Sequence, residues 1–233
     1  MIDFSKLSGS VSLRNSALAA AAVMALTAGG VASAKGPVQF MAQGVKPPVA
    51  QESKVSPNAV LYDQTGNPSG NGFTAQNFEA GFDVYDAEAA DDFVVPAGGW
   101  AIKKVSLNGV YYNGAGPMSS VNIAIYKKTG GLPGAVKCSA PNVVPTDDGL
   151  GNIVAKIPKC KLKKGSYFLV ANANMDFAVG GQWGWSAETV QSNGPALWQN
   201  PGDGFLTGCT AWSNMATCLG QPPTFDLSFK LES

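Results

Sequence analysis

The most informative part of the chain is a tryptophan-rich stretch at residues 180–212, which reads GGQWGWSAETVQSNGPALWQNPGDGFLTGCTAW. It holds four of the five tryptophans, and two of them, Trp183 and Trp185, are two residues apart. In an extended strand such residues point to the same face, so we expect their rings to lie side by side. Because the surrounding glycines disfavour a helix, the stretch predicts a strand followed by long ordered loops held by aromatic rings.

On both sides of this stretch, from Ala59 onward, short apolar runs alternate with turn sequences such as Asn113-Gly114. Val121, Ile123 and Ile125 fall on one face of their run, and this period of two is typical of half-buried strands. We predict nine strands, at 59–62, 91–95, 100–112, 120–127, 135–138, 152–158, 166–172, 182–186 and 224–231. Strands at this spacing without long helices predict an all-β fold, a two-sheet antiparallel β-sandwich of jelly-roll type with long ordered loops, over residues 59–233.

Residues 1–34 have the features of a secretory signal peptide. Basic residues precede an apolar run at 17–28, and Ala32-Ser33-Ala34 provides a cleavage site. The alternative is a membrane anchor, although the run is short for a bilayer. Residues 35–58 lack any period and are predicted to form a disordered leader. We therefore expect a secreted protein that is extracellular or lies at the cell surface. In a Gram-negative cell it would pass through the periplasm. After cleavage we expect no membrane span.

Composition excludes several classes of function. The chain has 16 basic and 16 acidic residues, no histidine, and Arg14 as its only arginine. A balanced charge without arginine argues against nucleic acid as a partner. The absence of histidine excludes Ser-His-Asp catalysis and every metal site that requires imidazole.

Four cysteines follow the predicted signal peptide, and an even number in an exported chain indicates two disulfides. Three pairings are open. We favour Cys138–Cys160, which flank a loop between two apolar runs, and Cys209–Cys218, which closes a short loop beside Trp212. A metal or redox site is the alternative, but there is no C-x-x-C motif.

An ordered set of motifs resembles a group of bacterial secreted β-sandwich proteins. The motifs are Ala90-Asp91-Asp92-Phe93-Val94-Val95-Pro96 followed by Trp100, Gly130-Gly131-Leu132-Pro133-Gly134, Gly165-Ser166-Tyr167-Phe168, Gly184-Trp185, Trp198-Gln199-Asn200-Pro201-Gly202 and Asp226-Leu227-Ser228-Phe229-Lys230-Leu231. Members of that group are mostly uncharacterised and occur at the cell surface or fused to extracellular modules. The resemblance covers about residues 59–233 and implies export and a β-sandwich, without an activity.

An acidic segment at residues 79–92 contains six carboxylates and no basic residue. Clustered carboxylates repel one another unless solvent or a cation separates them, and Ca²⁺ prefers such oxygen ligands. We predict one structural Ca²⁺ that contacts Asp91 or Asp92. A solvated acidic loop is the alternative, since no EF-hand spacing is present.

The tryptophans suggest a second candidate site. Sugar rings stack on indole faces, and neighbouring amides and carboxylates bind hydroxyl groups. The predicted ligand-binding residues are Trp183, Trp185, Trp198, Trp212, Asn200 and Asp203. The alternative is that most of these rings fill the core, because tryptophan is usually largely buried.

These observations predict a secreted, non-catalytic binding or adhesion module whose ligand is a glycan or an extracellular protein. The first alternative is a structural component of an extracellular assembly. A hydrolase is the third hypothesis, since Asp176, Glu188 and Asp203 lie near the tryptophans in sequence. Apart from the predicted Ca²⁺, no cofactor is expected.

Overall fold

The computed structural model describes residues 59–233, so the predicted signal peptide (1–34) and leader (35–58) lie outside the described residues. The described part is all-β, as predicted, with helices of only four to six residues. The strands are β1 (Val60–Gln64), β2 (Pro68–Thr74), β3 (Gln76–Asn77), β4 (Glu88–Val95), β5 (Trp100–Leu107), β6 (Gly109–Tyr112), β7 (Ser120–Thr129), β8 (Leu132–Val143), β9 (Thr146–Asp147), β10 (Ile153–Leu162), β11 (Gly165–Asn174), β12 (Gln182–Glu188), β13 (Leu197–Gln199), β14 (Ser213–Asn214), β15 (Asp226–Leu227) and β16 (Phe229–Glu232). A 3-10 helix spans Ala80–Tyr85, and the two α-helices are α1 (Phe177–Gly180) and α2 (Met215–Leu219).

The largest sheet has seven strands in the order β14-β13-β4-β11-β7-β8, with β3 added parallel to the end of β11. Its central strand β11 is antiparallel to both neighbours. Tyr167, Leu169 and Ala171 of β11 point into the core, so Phe168 and Val170 point to the opposite side, which we call the outer face. This alternation makes two distinct surfaces of one sheet.

A five-stranded sheet in the order β1-β16-β5-β10-β9 packs against the inner face of the seven-stranded sheet. Val105 and Leu107 of β5 belong to the same buried cluster as Ile123 of β7 and Leu169 of β11. Two sheets with alternate side chains interleaved between them form a β-sandwich, which confirms the predicted architecture.

A third, smaller sheet extends the predicted two-sheet arrangement. Its central strand β12 pairs with β2 on one side and with β6 and β15 on the other. Strand β6 continues β5 after Asn108, and β15 leads into β16 through Ser228. The Asn108 N–H donates to the Ser228 carbonyl at 3.2 Å, and the Asn108 amide donates to the Ser228 hydroxyl at 2.9 Å. These bonds hold the two strands together where both pass from one sheet to the next.

Both predicted disulfides are confirmed. Cys138–Cys160 joins β8, the edge strand of the seven-stranded sheet, to β10 of the five-stranded sheet. Cys209–Cys218 joins the loop after β13 to α2. Each bridge typically contributes about 2–4 kcal/mol to stability. Within residues 59–233, no helix is long and apolar enough to cross a membrane.

Candidate functional site

Three of the predicted ligand-binding tryptophans are core residues. Trp183, Trp185 and Trp198 are 0% exposed, so no ligand reaches their rings. Each indole N–H donates to a backbone carbonyl at 2.8 Å, and the acceptors are Gly151, Ser228 and Thr74, respectively. The prediction of a glycan platform on these rings is therefore wrong. Trp183 and Trp185 do share a face, but that face packs into the interior.

Asn200 and Asp203, the predicted polar ligand residues, organise the loop after β13. The buried Asn200 amide donates to the carbonyls of Val84 and Asp86, at 2.8 Å each, and its oxygen accepts from Phe205 N. Asn200 has no exposed surface, so its assignment as a ligand residue is also corrected. The Asp203 carboxylate is half-buried and accepts from Gly208 N at 2.9 Å, which closes a turn.

Trp212 is the one predicted ring that retains accessible surface, and it lies on the outer face of the seven-stranded sheet. There it packs on a second apolar cluster, separate from the core, which consists of Ala90, Phe168, Val170 and Leu197. The half-buried Tyr126 of β7 packs on the same cluster. The outer face therefore has an apolar floor with two partly exposed aromatic rings on it.

Strand register arranges the outer face in rows. Asp92, Phe168 and Tyr126 form the first row, across β4, β11 and β7. The second row runs from Leu197 of β13 through Ala90 and Val170 to Ala124. The third row is polar, with Asn172 opposite Asn122 and Gln199 opposite Glu88. The fourth row is also polar and places Asn174 opposite Ser120. Rows lie about 7 Å apart along the strands and strands about 4.8 Å apart.

The polar rows are joined by amide hydrogen bonds into a unit that we call the amide cluster, namely Asn77, Asn122, Asn142, Asn172 and Asn174. The Asn122 amide donates to the side-chain oxygens of Asn172 at 3.1 Å and Asn174 at 2.8 Å. The Asn174 amide in turn donates to Asn142 at 3.1 Å, and Asn77 donates to Asn174 at 3.1 Å. Because each amide fixes its neighbour, the cluster presents oriented donors and acceptors on a partly exposed surface.

A carboxylate borders the amide cluster. Glu88 accepts a hydrogen bond from the Gln199 amide at 2.6 Å, and both side chains are half-buried. The pKa of Tyr126 is raised, first by burial and second by the negative charge of Glu88. Tyr126 therefore keeps its hydroxyl proton at all physiological pH values and can donate it. We define the outer-face site as Trp212, Tyr126, Glu88, Gln199 and the amide cluster.

The acidic segment that suggested calcium does not act as one group. Asp91 and Asp92 project from opposite faces of β4, one into the core and one onto the outer face. Asp92 accepts from Gly194 N at 2.8 Å and is paired with the ammonium of Lys128, which lies over the Phe168 ring. Within residues 59–233, no three acidic or cysteine side chains are arranged to hold a metal ion. Calcium binding stays a prediction, tested by comparing the melting temperature in calcium and in EDTA.

Asp91 belongs instead to a buried carboxyl pair. Its Oδ2 accepts from the Gln64 amide at 2.6 Å and from Leu227 N at 2.7 Å, and Oδ1 accepts from Asp92 N at 2.7 Å. Burial, first of all, and the neighbouring Asp226 carboxylate raise the pKa of Asp91. Burial also raises the pKa of Asp226 to about 7. Both side chains are 0% exposed.

A proton shared by the two carboxyl groups fits the raised pKa values of this pair and its one oxygen without a protein donor. Asp226 accepts from Ser192 N at 2.7 Å through Oδ2, whereas its Oδ1 is buried without a protein donor. A proton held between the two carboxyl groups supplies that donor, as expected for carboxylates that cannot both ionise. Glu188, directly opposite Asp226 in the β12–β15 pair, is also buried and has a pKa raised by burial.

Comparison of this chain with protein-family models, with curated proteins and with solved structures gives no match. The resemblance drawn from the sequence motifs therefore stays a prediction, and the site has to be judged on its own geometry. Sequence reasoning missed the amide cluster: alternation in 120–127 placed Asn122 opposite the apolar face, but 166–172 has apolar residues on both faces and does not orient Asn172. What it could not provide was the register that makes them neighbours.

Proposed function

We propose that this protein is an exported, non-catalytic binding module that holds a neutral glycan on the outer-face site. The observation that carries the proposal is the juxtaposition of two half-buried rings, Trp212 and Tyr126, with a cluster of mutually hydrogen-bonded asparagines on one sheet face. Apolar ring faces suit the C–H faces of sugars, and fixed amides suit their hydroxyl groups.

Preorganisation supports this use of the amide cluster. Ordering a flexible polar side chain on binding costs about 0.5–1.5 kcal/mol. Asn122 and Asn174 already hydrogen-bond to each other in both directions, at 2.8 and 3.1 Å. A sugar hydroxyl that adds to such a network meets side chains whose orientation is already set, so less of the interaction energy is lost to ordering.

Charge supports a neutral ligand. Glu88 is the carboxylate beside the amide cluster, and Lys128, on the same strand as Tyr126, is paired with Asp92. An acidic polysaccharide that contacts the amide cluster would be repelled by Glu88. Binding is therefore expected to depend weakly on ionic strength.

The hydrolase hypothesis is less well supported by the same geometry. A hydrolase needs a carboxyl group with a shifted pKa at a surface that the substrate can reach. The carboxyl pair Asp91–Asp226 has the shifted pKa values but no exposed surface. Glu188, named from the sequence, is 2% exposed and accepts a hydrogen bond from Asn67 N.

The experiment is a pull-down of the purified chain on insoluble neutral polysaccharides (cellulose, chitin, xylan and starch), followed by calorimetry with oligosaccharides of the retained polymer. Trp212→Ala is expected to weaken binding by about a hundredfold, because it removes a stacking surface worth a few kcal/mol. Tyr126→Ala is expected to weaken it by about tenfold.

Tyr85→Ala is the matched control, a half-buried aromatic residue of the 3-10 helix. It should leave affinity unchanged. Retention by no polysaccharide, or an equal loss with Tyr85→Ala and Trp212→Ala, would exclude the outer face as a glycan site.

A further inference from the structure

One end of the seven-stranded sheet carries a row of aromatic rings that the glycan proposal does not use. Centroid distances are 5.3 Å between Phe177 and Phe82, 6.0 Å between Phe82 and Tyr85, and 5.2 Å between Tyr85 and Phe205. The rings come from α1, the 3-10 helix and the loop after β13. All four are half-buried, so each keeps some accessible surface.

Exposed aliphatic residues extend this surface. Val84 is 51% exposed, Val179 is 84% exposed and Leu206 is 87% exposed. The backbone beneath them is fixed, because Glu79 accepts from Phe177 N at 2.6 Å and Gly204 N donates to the Val84 carbonyl at 2.8 Å. A rigid apolar surface with such exposure is typical of a contact site for another macromolecule.

The same end of the sheet is acidic. Its carboxylates are Glu79, Asp83, Asp86, Asp176 and Asp203. Residues 59–102 and 165–229, which include all the segments named above, contain no lysine, arginine or histidine. Among the described residues, the two ion pairs are Lys104–Glu232 and Lys128–Asp92, so no lysine neutralises these carboxylates. We call this surface, rings and carboxylates together, the acidic end.

The other end of the sheet is basic. Strand β11 begins at Gly165, opposite Val95, directly after the exposed turn residues Lys163 and Lys164. Lys161 is also exposed there, and the ammonium of Lys127 lies 4.9 Å from the centre of the Tyr167 ring. These four lysines form what we call the lysine end, and residues 93–146 and 149–175 contain no carboxylate.

The two ends are too far apart to neutralise each other within one molecule. Strand β11 has 10 residues and runs from the lysine end at Gly165 to the acidic end at Asn174. At about 3.3 Å per residue it is about 30 Å long, several times the screening length of about 8 Å at physiological ionic strength. Each end therefore has a charge that only another molecule can complement.

We propose that the acidic end of one molecule docks on the lysine end of a second copy of the same chain. The contact joins different surfaces of two copies, so each added copy leaves one surface free for the next, and the products are open chains of molecules or closed rings. Opposite charges orient the two ends and accelerate encounter, while Val179, Leu206 and the rings supply the apolar contact. This association does not depend on glycan binding at the outer-face site.

The test begins with sedimentation velocity on the purified chain over a concentration series up to about 1 mM, which detects association as weak as millimolar. We expect a distribution of dimers and longer species that grows with concentration. Raising the ionic strength from about 50 to about 500 mM should weaken the association by about tenfold or more. A chain that stays monomeric over the whole series at low salt overturns the proposal.

Two double variants then identify the surfaces. Val179→Lys with Leu206→Lys blocks the acidic end, and Lys163→Glu with Lys164→Glu blocks the lysine end. All four positions are exposed, so both variants should keep the melting temperature of the original chain. Each variant alone is expected to be monomeric, because its one intact end finds no intact complementary end.

Mixing the two variants gives the decisive result. Each retains the surface that the other has lost, so an equimolar mixture should form one-to-one dimers and nothing longer. The matched controls, Leu150→Lys and Lys156→Glu, change exposed positions outside both ends and should associate like the original chain. A mixture that stays monomeric, or controls that dissociate equally, would exclude contact between the acidic and lysine ends.

Discussion

Two regions of this protein contain networks of polar side chains, and the two regions differ in burial and in charge. The amide cluster on the outer face is neutral and partly exposed, with Asn122 and Asn174 exchanging hydrogen bonds. The carboxyl pair Asp91–Asp226, at the junction of β4 with β15, is ionisable and fully buried. Both are networks, but only the first has surface left for a ligand.

The difference shows how the same kind of hydrogen bonding serves two purposes. An exposed amide can exchange its bond to a neighbour for one to a ligand, because water competes at little cost in either state. A buried carboxyl group cannot exchange its hydrogen bonds for bonds to a ligand or to water. If it is removed, the buried donors that it accepted from keep the full free-energy cost of their desolvation. Substitutions in the buried pair should therefore affect stability, and substitutions in the amide cluster should affect binding.

The largest effect on stability is expected from Asp91→Ala. Three donors would lose their acceptor, namely the Gln64 amide, Leu227 N and Asp92 N. Each buried unsatisfied group costs about 1–3 kcal/mol, so we expect unfolding free energy to fall by about 3–5 kcal/mol. Urea denaturation measures the change. Asp63→Ala on the exposed side of β1 is the control and should cost less than about 1 kcal/mol; an equal loss at both positions would contradict a buried network at Asp91.

The pH dependence of stability should reveal the shared proton. Burial raises the pKa of Asp226 to about 7, and the pKa of Asp91 is raised as well, whereas aspartate in an unfolded chain titrates near 4. Between these values the pair binds more protons in the native state than in the unfolded state, so its contribution to stability is fully present below about pH 4 and is lost as pH rises through about 7.

Thermal or urea unfolding from about pH 5 to about pH 8 is expected to show a loss on the order of 2 kcal/mol. Asp226→Asn replaces the titrating group with one that is neutral throughout, and this variant should give a flatter profile over the same range. Stability that instead rises steadily towards pH 8 would mean that the pair is ionised in the folded protein.

Much of the fold followed from the sequence because hydrophobic alternation and turn residues carry local information. All nine predicted strands overlap observed ones, and both disulfides are as predicted. Strand β2 was missed because PSGNGFT contains residues that usually form turns. It is a strand because β12 lies beside it, and Gly72 allows close approach: a β-carbon there would lie 3.0 Å from the Gly184 carbonyl oxygen.

The sites were less predictable because they depend on which strands become neighbours. Trp183 and Trp185 share a face, as alternation requires, but alternation does not say whether that face meets solvent or a second sheet. Asp91 was predicted as a calcium ligand or as part of a solvated acidic loop, whereas it is buried with Gln64 and Leu227, which come from distant parts of the chain. Pairing of β7 with β11 assembles the amide cluster, and no local pattern encodes that pairing.

The smallest effect on stability, and the sharpest separation of the two regions, is expected from Asn172→Ala. Asn172 accepts from the Asn122 amide at 3.1 Å, but Asn122 keeps a second acceptor, Asn174, at 2.8 Å. The donor stays satisfied, so unfolding free energy should fall by less than about 1 kcal/mol. Affinity for the retained oligosaccharide should nevertheless fall by about tenfold, since the ligand loses an oriented amide. Calorimetry and urea denaturation on the same preparation measure both quantities. If Asn172→Ala instead lost as much stability as Asp91→Ala and kept its affinity, the amide cluster would serve the fold and not a ligand.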